Sequence, residues 1–191
     1  MNIAEKAILF ATHAFTGKYR KASKIPAIFH SLEAGSIAAS MTDNPEVLSA
    51  VVLHDVIEDT DTTETELRRE FGDRITELVL SDSENKREDL PPEDSWKIRK
   101  QETIDYILKV TDRDIKILYL SDKLANMRSI YTSWLTEKDN VWKKFNQKDP
   151  KEQYWYYHSI QEALSDLKNT AAWREYARYI REIFHSQPRM E

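Results

Sequence analysis

Apolar residues recur along this chain at three- and four-residue intervals, the spacing that gathers them on one face of a helix. Ile3, Ala7, Phe10, Ala11 and Ala14 make the first such stripe, and Gly17 ends it. Residues 18–25 are polar and basic and read as a loop. Pro26 suits the first turn of a second helix running to about Met41. Asp43-Asn44-Pro45 stops that helix and starts a third, expected from about Glu46 to Ile57. Its run Ala50-Val51-Val52-Leu53 is apolar nearly all round, which marks a central helix. Thr60–Thr63 is a break that offers N-caps. Two short helices split by Gly72 follow, then the polar stretch Ser81–Pro92. Further helices are expected from about Ser95 to Lys109 and from about Asp114 to Leu135, with two or three aromatic-rich ones between Val141 and His185. The pattern contains no strand pair or repeat. It predicts an all-α bundle forming one domain over residues 1–191, with its core at about 3–168 and a C-terminal helix at about 170–186.

Composition narrows the function classes. The 191 residues are 40% hydrophobic, enough for one substantial core, and the formal net charge is −5. That charge argues against a general nucleic-acid binder, which needs a basic field. There is no cysteine, so disulfides and thiolate metal sites are excluded. Only three glycines occur, which disfavours Gly-rich phosphate loops. No apolar run approaches the roughly 18 residues a bilayer span needs, and Met1–Lys6 lacks the pattern of a signal peptide. The expectation is a cytoplasmic protein without membrane or nucleic-acid partners. The sequence leaves homo-oligomer formation open.

The chemistry concentrates in Leu53-His54-Asp55-Val56-Ile57-Glu58-Asp59-Thr60. On a helix, residues four apart stack, so His54 lies under Glu58 and Asp55 under Asp59. Three carboxylates on one face behind a core segment repel each other and lose solvation. A divalent cation relieves both costs. His30, between Phe29 and the apolar Leu32 and Ala34, and Asp122, within Ile117–Met127, are further inward-facing candidates. Two imidazoles and two carboxylates suit manganese, iron or zinc rather than calcium. Arg20, Lys21, Arg99, Lys100 and Lys123 are candidate phosphate contacts, the arginines favoured for bidentate geometry. Asn126, four residues beyond Asp122, is a candidate contact to a sugar or phosphate. Tyr154 and Tyr157 either pack between helices or line a nucleotide pocket.

The order His30, His54-Asp55, Asp122 resembles that of the HD-domain phosphohydrolases. Gly17–Lys21, Pro26 before His30, His54–Thr60, Phe71-Gly72, Trp96–Lys100 and Asp122–Arg128 are similar to the hydrolase domain of RelA/SpoT proteins, in particular its stand-alone small alarmone hydrolases of the metazoan SpoT homologue type. The likeness covers roughly residues 3–168. It implies an HD-domain helical bundle with a manganese ion held by His30, His54, Asp55 and Asp122. It also implies catalytic carboxylates at Glu58 and Asp59, and removal of pyrophosphate from the 3′ position of the small-molecule nucleotide (p)ppGpp. Three features depart from the family pattern: Phe15 stands where a histidine is common, Lys18 where glutamine is, and the loop Lys21–Ile25 differs from the common Ser-Gly-Glu pattern. The rival readings are an HD phosphohydrolase acting on a nucleoside monophosphate or an adenosine alarmone, and a catalytically silent, metal-stapled nucleotide-binding module.

Overall fold

The structure is a computed structural model and describes residues 1–20, 23–83, 87 and 91–185. Helices dominate; among the described residues the extended pairing is a single bridge between Tyr19 and Pro26. Backbone packing divides the chain into two compact units, residues 1–83 with 112–125, and residues 84–111 with 126–191. No helix among the described residues is long and apolar enough to cross a membrane.

In the first unit, α1 (Ile3–Ala14) is started by a reciprocal cap. Asn2 Oδ1 accepts from the Glu5 N–H at 2.8 Å, and Glu5 Oε2 accepts from the Asn2 N–H at 2.9 Å. The small Ala7 and Ala11 are fully buried and let α1 lie close on α3. Gly17 turns the chain at φ +76°, a conformation that favours glycine. The backbone of Arg20 then bonds to Ile25, closing the loop that leads into α2 (Ile28–Ala38). That helix begins two residues later than the sequence pattern predicts, because Pro26 is taken by the bridge to Tyr19, and it ends three residues sooner.

The central element is α3 (Pro45–Leu53), capped by Asn44 with Pro45 in its first turn. It buries Val47, Ser49, Ala50, Val51, Val52 and Leu53 and packs against α1, α2 and α5. The expected continuation to Ile57 does not occur. The helix stops at Leu53, His54-Asp55 form a turn, and a four-residue α4 (Val56–Asp59) follows. The physical reason is local. The His54 imidazole takes the Val51 carbonyl at 2.7 Å, the acceptor that a continuing helix would offer to the Asp55 N–H.

Thr63 caps α5 (Glu64–Asp82), which is kinked at Gly72 (φ 79°, ψ 179°), where the pattern splits two helices. The last element of this unit is the first half of α7 (Arg113–Glu137), a helix buried continuously from Lys116 to Asp122. Arg74 of α5 holds its start through Asp112 and Asp114, at 2.9 and 2.8 Å. Tyr119 ties its middle to α5 through a 2.6 Å hydrogen bond to the Ser81 carbonyl.

The second unit holds α6 (Pro92–Lys109), the rest of α7, a 3-10 segment (Lys138–Lys144), α8 (Pro150–Ala163) and α9 (Ala171–His185). Aromatic rings join these helices. Trp96 of α6 meets Trp155 and Tyr156 of α8 edge-on, and Trp142 stacks on Phe184 of α9 at 5.2 Å. Arg128 makes a two-pronged pair with Glu175, both contacts at 2.8 Å.

Candidate metal centre

Three elements of the first unit bring titratable side chains to one point. His30 comes from the first turn of α2, His54 and Asp55 from the turn that ends α3, and Asp122 from the buried stretch of α7. Nε2 of His30 lies 2.9 Å from Asp122 Oδ1, 3.2 Å from His54 Nε2 and 3.7 Å from Asp55 Oδ2. Nε2 of His54 lies 3.2 Å from Asp55 Oδ2 and 3.6 Å from Asp122 Oδ1. His30, His54 and Asp122 are buried, while Asp55 is half-exposed and opens the cluster to solvent.

The approach of α2 to α3 depends on Gly35. A methyl group there would sit 2.8 Å from Val52 Cγ2, inside any normal contact. Glycine removes that obstacle and lets the two histidine-bearing segments converge.

The donor set fits a divalent cation. A carbonyl oxygen only accepts, so the Val51 bond requires that Nδ1 of His54 carry the proton. In the neutral ring, Nε2 is then a bare lone pair, directed at a second imidazole nitrogen and two carboxylate oxygens. Such a concentration of electron pairs needs either a proton or a metal ion. The electrostatics without metal show the proton's answer. Burial alone would lower the His54 pKa, but Asp55 and Asp122 raise it well above the ordinary histidine value. Burial alone would likewise raise both carboxyls. Lys123 and the two histidines instead hold Asp122 well below the usual carboxylate range, and His54 pulls Asp55 below it. A divalent cation substitutes for the shared proton with more charge.

Two groups extend this cluster. Lys123 Nζ lies 2.5 Å from Asp122 Oδ2 and 3.8 Å from Asp82 Oδ1, with both Lys123 and Asp82 side chains largely buried. Lys123, expected as a phosphate contact, is thus directed to two carboxylates. Burial pushes the Asp82 carboxyl up to about 7 against the pull of Lys123. Sequence reasoning missed Asp82. The signal was available, since Ile75, Leu78, Val79 and Asp82 share a helical stripe whose first three members are buried.

Glu58 and Asp59 occupy α4, immediately after the cluster; Glu58 is half-buried and Asp59 exposed. Arg20 is half-buried in the turn before α2, and Lys21 lies outside the described residues. The remaining candidates belong to the second unit. Asn126 is half-buried, one turn beyond Asp122 on α7. Arg99 reaches Ser95 Oγ at 3.4 Å, and Lys100 lies 5.0 Å from the centre of the Tyr156 ring. Tyr154 packs on Phe184 and His158, and Tyr157 is buried, its carbonyl accepting from the Tyr176 hydroxyl.

Comparison with known proteins bears on the family of the chain. A Haemophilus influenzae protein named guanosine-3′,5′-bis(diphosphate) 3′-pyrophosphohydrolase is 34% identical over 124 residues, 64% of this chain and 18% of that protein. A Brucella ovis protein named GTP pyrophosphokinase rsh is 32% identical over 130 residues, 67% of this chain and 17% of that one. The chain thus spans less than a fifth of the length of these curated relatives. Among solved structures, a Listeria monocytogenes protein superimposes with a TM-score of 0.71 at 31% identity, over 82% of this chain and 99% of that one. A structure described as a metazoan orthologue of SpoT that hydrolyses ppGpp also gives a TM-score of 0.71, at 23% identity over 97% and 96% of the two chains; at that identity it shows a shared fold. The profile described as HD domain matches residues 7–149, which include His30, His54, Asp55 and Asp122. On a match of that extent, the chain belongs to the HD domain family.

Proposed function

We propose that this chain is a metal-dependent pyrophosphohydrolase that converts (p)ppGpp and water to GDP or GTP and pyrophosphate, with manganese as its ion. The observation that carries the reading is the meeting of the His30, His54 and Asp122 donor atoms within 2.9–3.6 Å of one another, with Asp55 Oδ2 within 3.7 Å of both histidines and the His54 tautomer set by Val51. The names of the curated relatives point to the same nucleotide.

His30, His54, Asp55 and Asp122 would hold the ion. When bound, it would polarise a phosphoryl oxygen and acidify a coordinated water. The other steps fall to side chains. Glu58 and Asp59 follow His54 and Asp55 by four residues and lie on a short helix, Glu58 half-buried and Asp59 exposed. A carboxylate there takes the proton of the attacking water. Water adds its oxygen to phosphorus, the bond from the ribose 3′ oxygen breaks, and that oxygen gains a proton. Of the cationic candidates in the first unit, Arg20 and Lys21 are assigned to the phosphates.

Pyrophosphate release from ppGpp, measured with added manganese beside a Glu58→Gln/Asp59→Asn double variant, tests the assignment. Release by the native protein, reduced at least about 100-fold in the variant, is expected. Absence of release from native protein with manganese bound would sink the substrate assignment and favour another nucleotide or a silent binding module.

A further inference from the structure

Asp82 is placed where a carboxylate is costly. It is the last residue of α5, so its charge opposes the dipole at that helix end, and its side chain is largely buried. Lys123 is buried almost as deeply, one residue after Asp122. These two charges meet at the point where α5 and α7 are already tied together. The Tyr119 hydroxyl bonds the Ser81 carbonyl at 2.6 Å, and Lys123 Nζ lies 5.5 Å from the centre of the Tyr119 ring. The ammonium group is thereby bracketed by an aromatic face and two carboxylates.

The consequence for Asp122 is a division of labour between its oxygens. Oδ2 is taken by Lys123 at 2.5 Å, and Oδ1 faces the imidazoles at 2.9 and 3.6 Å. A carboxylate pinned through one oxygen presents the other at a defined angle, so it would offer a cation a single atom. An unopposed ammonium ion so near would repel a divalent cation. Asp82, whose Oδ1 lies 3.8 Å from Lys123 Nζ, supplies the compensating charge.

We propose that Asp82 and Lys123 are positioning residues for the cation site. Lys123 orients Asp122 as a one-oxygen ligand, and Asp82 anchors and neutralises Lys123 so that the cation is not repelled. The inference rests on the metal-site reading above and reassigns Lys123 from substrate to ligand support.

Manganese binding by calorimetry at pH 8 tests it, using native protein, Asp82→Asn, Lys123→Met and the double variant, with His54→Ala as the control for the site itself. Asp82→Asn should weaken manganese binding by about 10- to 100-fold, the usual effect of losing a group that supports a ligand. Its KM for ppGpp at saturating manganese should stay within about twofold, because the loss is in metal affinity. In the Lys123→Met background the same Asp82 change should shift affinity by less than about threefold, since no ammonium is left to neutralise. Asp82→Glu keeps the charge and should bind manganese near the native affinity; it also serves if Asp82→Asn does not fold. Equal losses from Asp82→Asn in both backgrounds would show a merely structural role and overturn the proposal. So would Lys123→Met raising KM with manganese affinity unchanged, which would make Lys123 a substrate contact. Native protein that binds manganese no better than His54→Ala would instead refute the underlying site.

Discussion

Gly35→Ala probes how far the site depends on the packing of α2 against α3. The new methyl carbon would lie 2.8 Å from Val52 Cγ2, where ordinary contacts begin at 3.4 Å, a shortfall of about 0.6 Å. Val52 is β-branched and buried in the central helix, so it has little freedom to rotate away. The helices must therefore part locally. Overpacking of this kind costs about 1–3 kcal/mol. Alanine recovers about 0.5–1 kcal/mol of helix propensity over glycine. The net expectation is a loss of about 0–2.5 kcal/mol of stability. His30 lies five residues upstream on the same helix, and ligand distances in a metal site tolerate only about 0.2 Å. A displacement of half an ångström therefore misplaces His30 against His54, Asp55 and Asp122, and manganese affinity should fall by about tenfold or more. Urea denaturation and manganese titration of the same sample separate the two effects. Adding Val52→Ala removes the obstructing methyl and should restore most of the metal affinity. Native-like manganese binding by Gly35→Ala, or no recovery in the double variant, would refute the account of how the helices bring the histidines together.

Two other predictions concern stability. Manganese at 100 times its dissociation constant should raise the unfolding free energy by about 2.7 kcal/mol, and excess chelator should abolish that gain; an unchanged denaturation midpoint would argue against a cation held by the folded state. In the second unit, the Arg128 hydrogen bonds hold the Glu175 carboxyl below its ordinary value. A depressed carboxylate stabilises the fold above its unfolded-state pKa and loses that contribution as pH falls through its folded-state value. The pair is partly exposed, so Glu175→Gln should cost at most about 1 kcal/mol at pH 7, with the difference vanishing below the carboxylate range. A difference that persists in acid would mean the variant acts through packing.

The helices were legible because their signals are local. Asn44-Pro45 starts α3, Gly72 bends α5, and the stripe from Ile3 to Ala14 forms α1, each through interactions spanning a few residues. The candidate ligands were legible for a related reason. His30, His54-Asp55 and Asp122 interrupt apolar stretches, and burial of such groups calls for a compensating charge. The break after Leu53 was not legible, because it arises when the His54 imidazole captures the Val51 carbonyl and competes with the next helical bond.

By itself, the sequence determined the helical architecture, the chemical types available for a cation and the exclusion of thiolate ligands, since composition and periodicity are properties of the chain alone. Tertiary structure decided which nitrogen of His54 faces inward, how closely α2 approaches α3 past Gly35, and that Lys123 turns to Asp122 and Asp82. Asp82 and Lys123 are 41 positions apart, and Gly35 and Val52 are 17 apart. No local pattern encodes such pairs; they meet because separate helices bury their apolar faces on one another, which sets the distances at which the remaining polar groups must find partners.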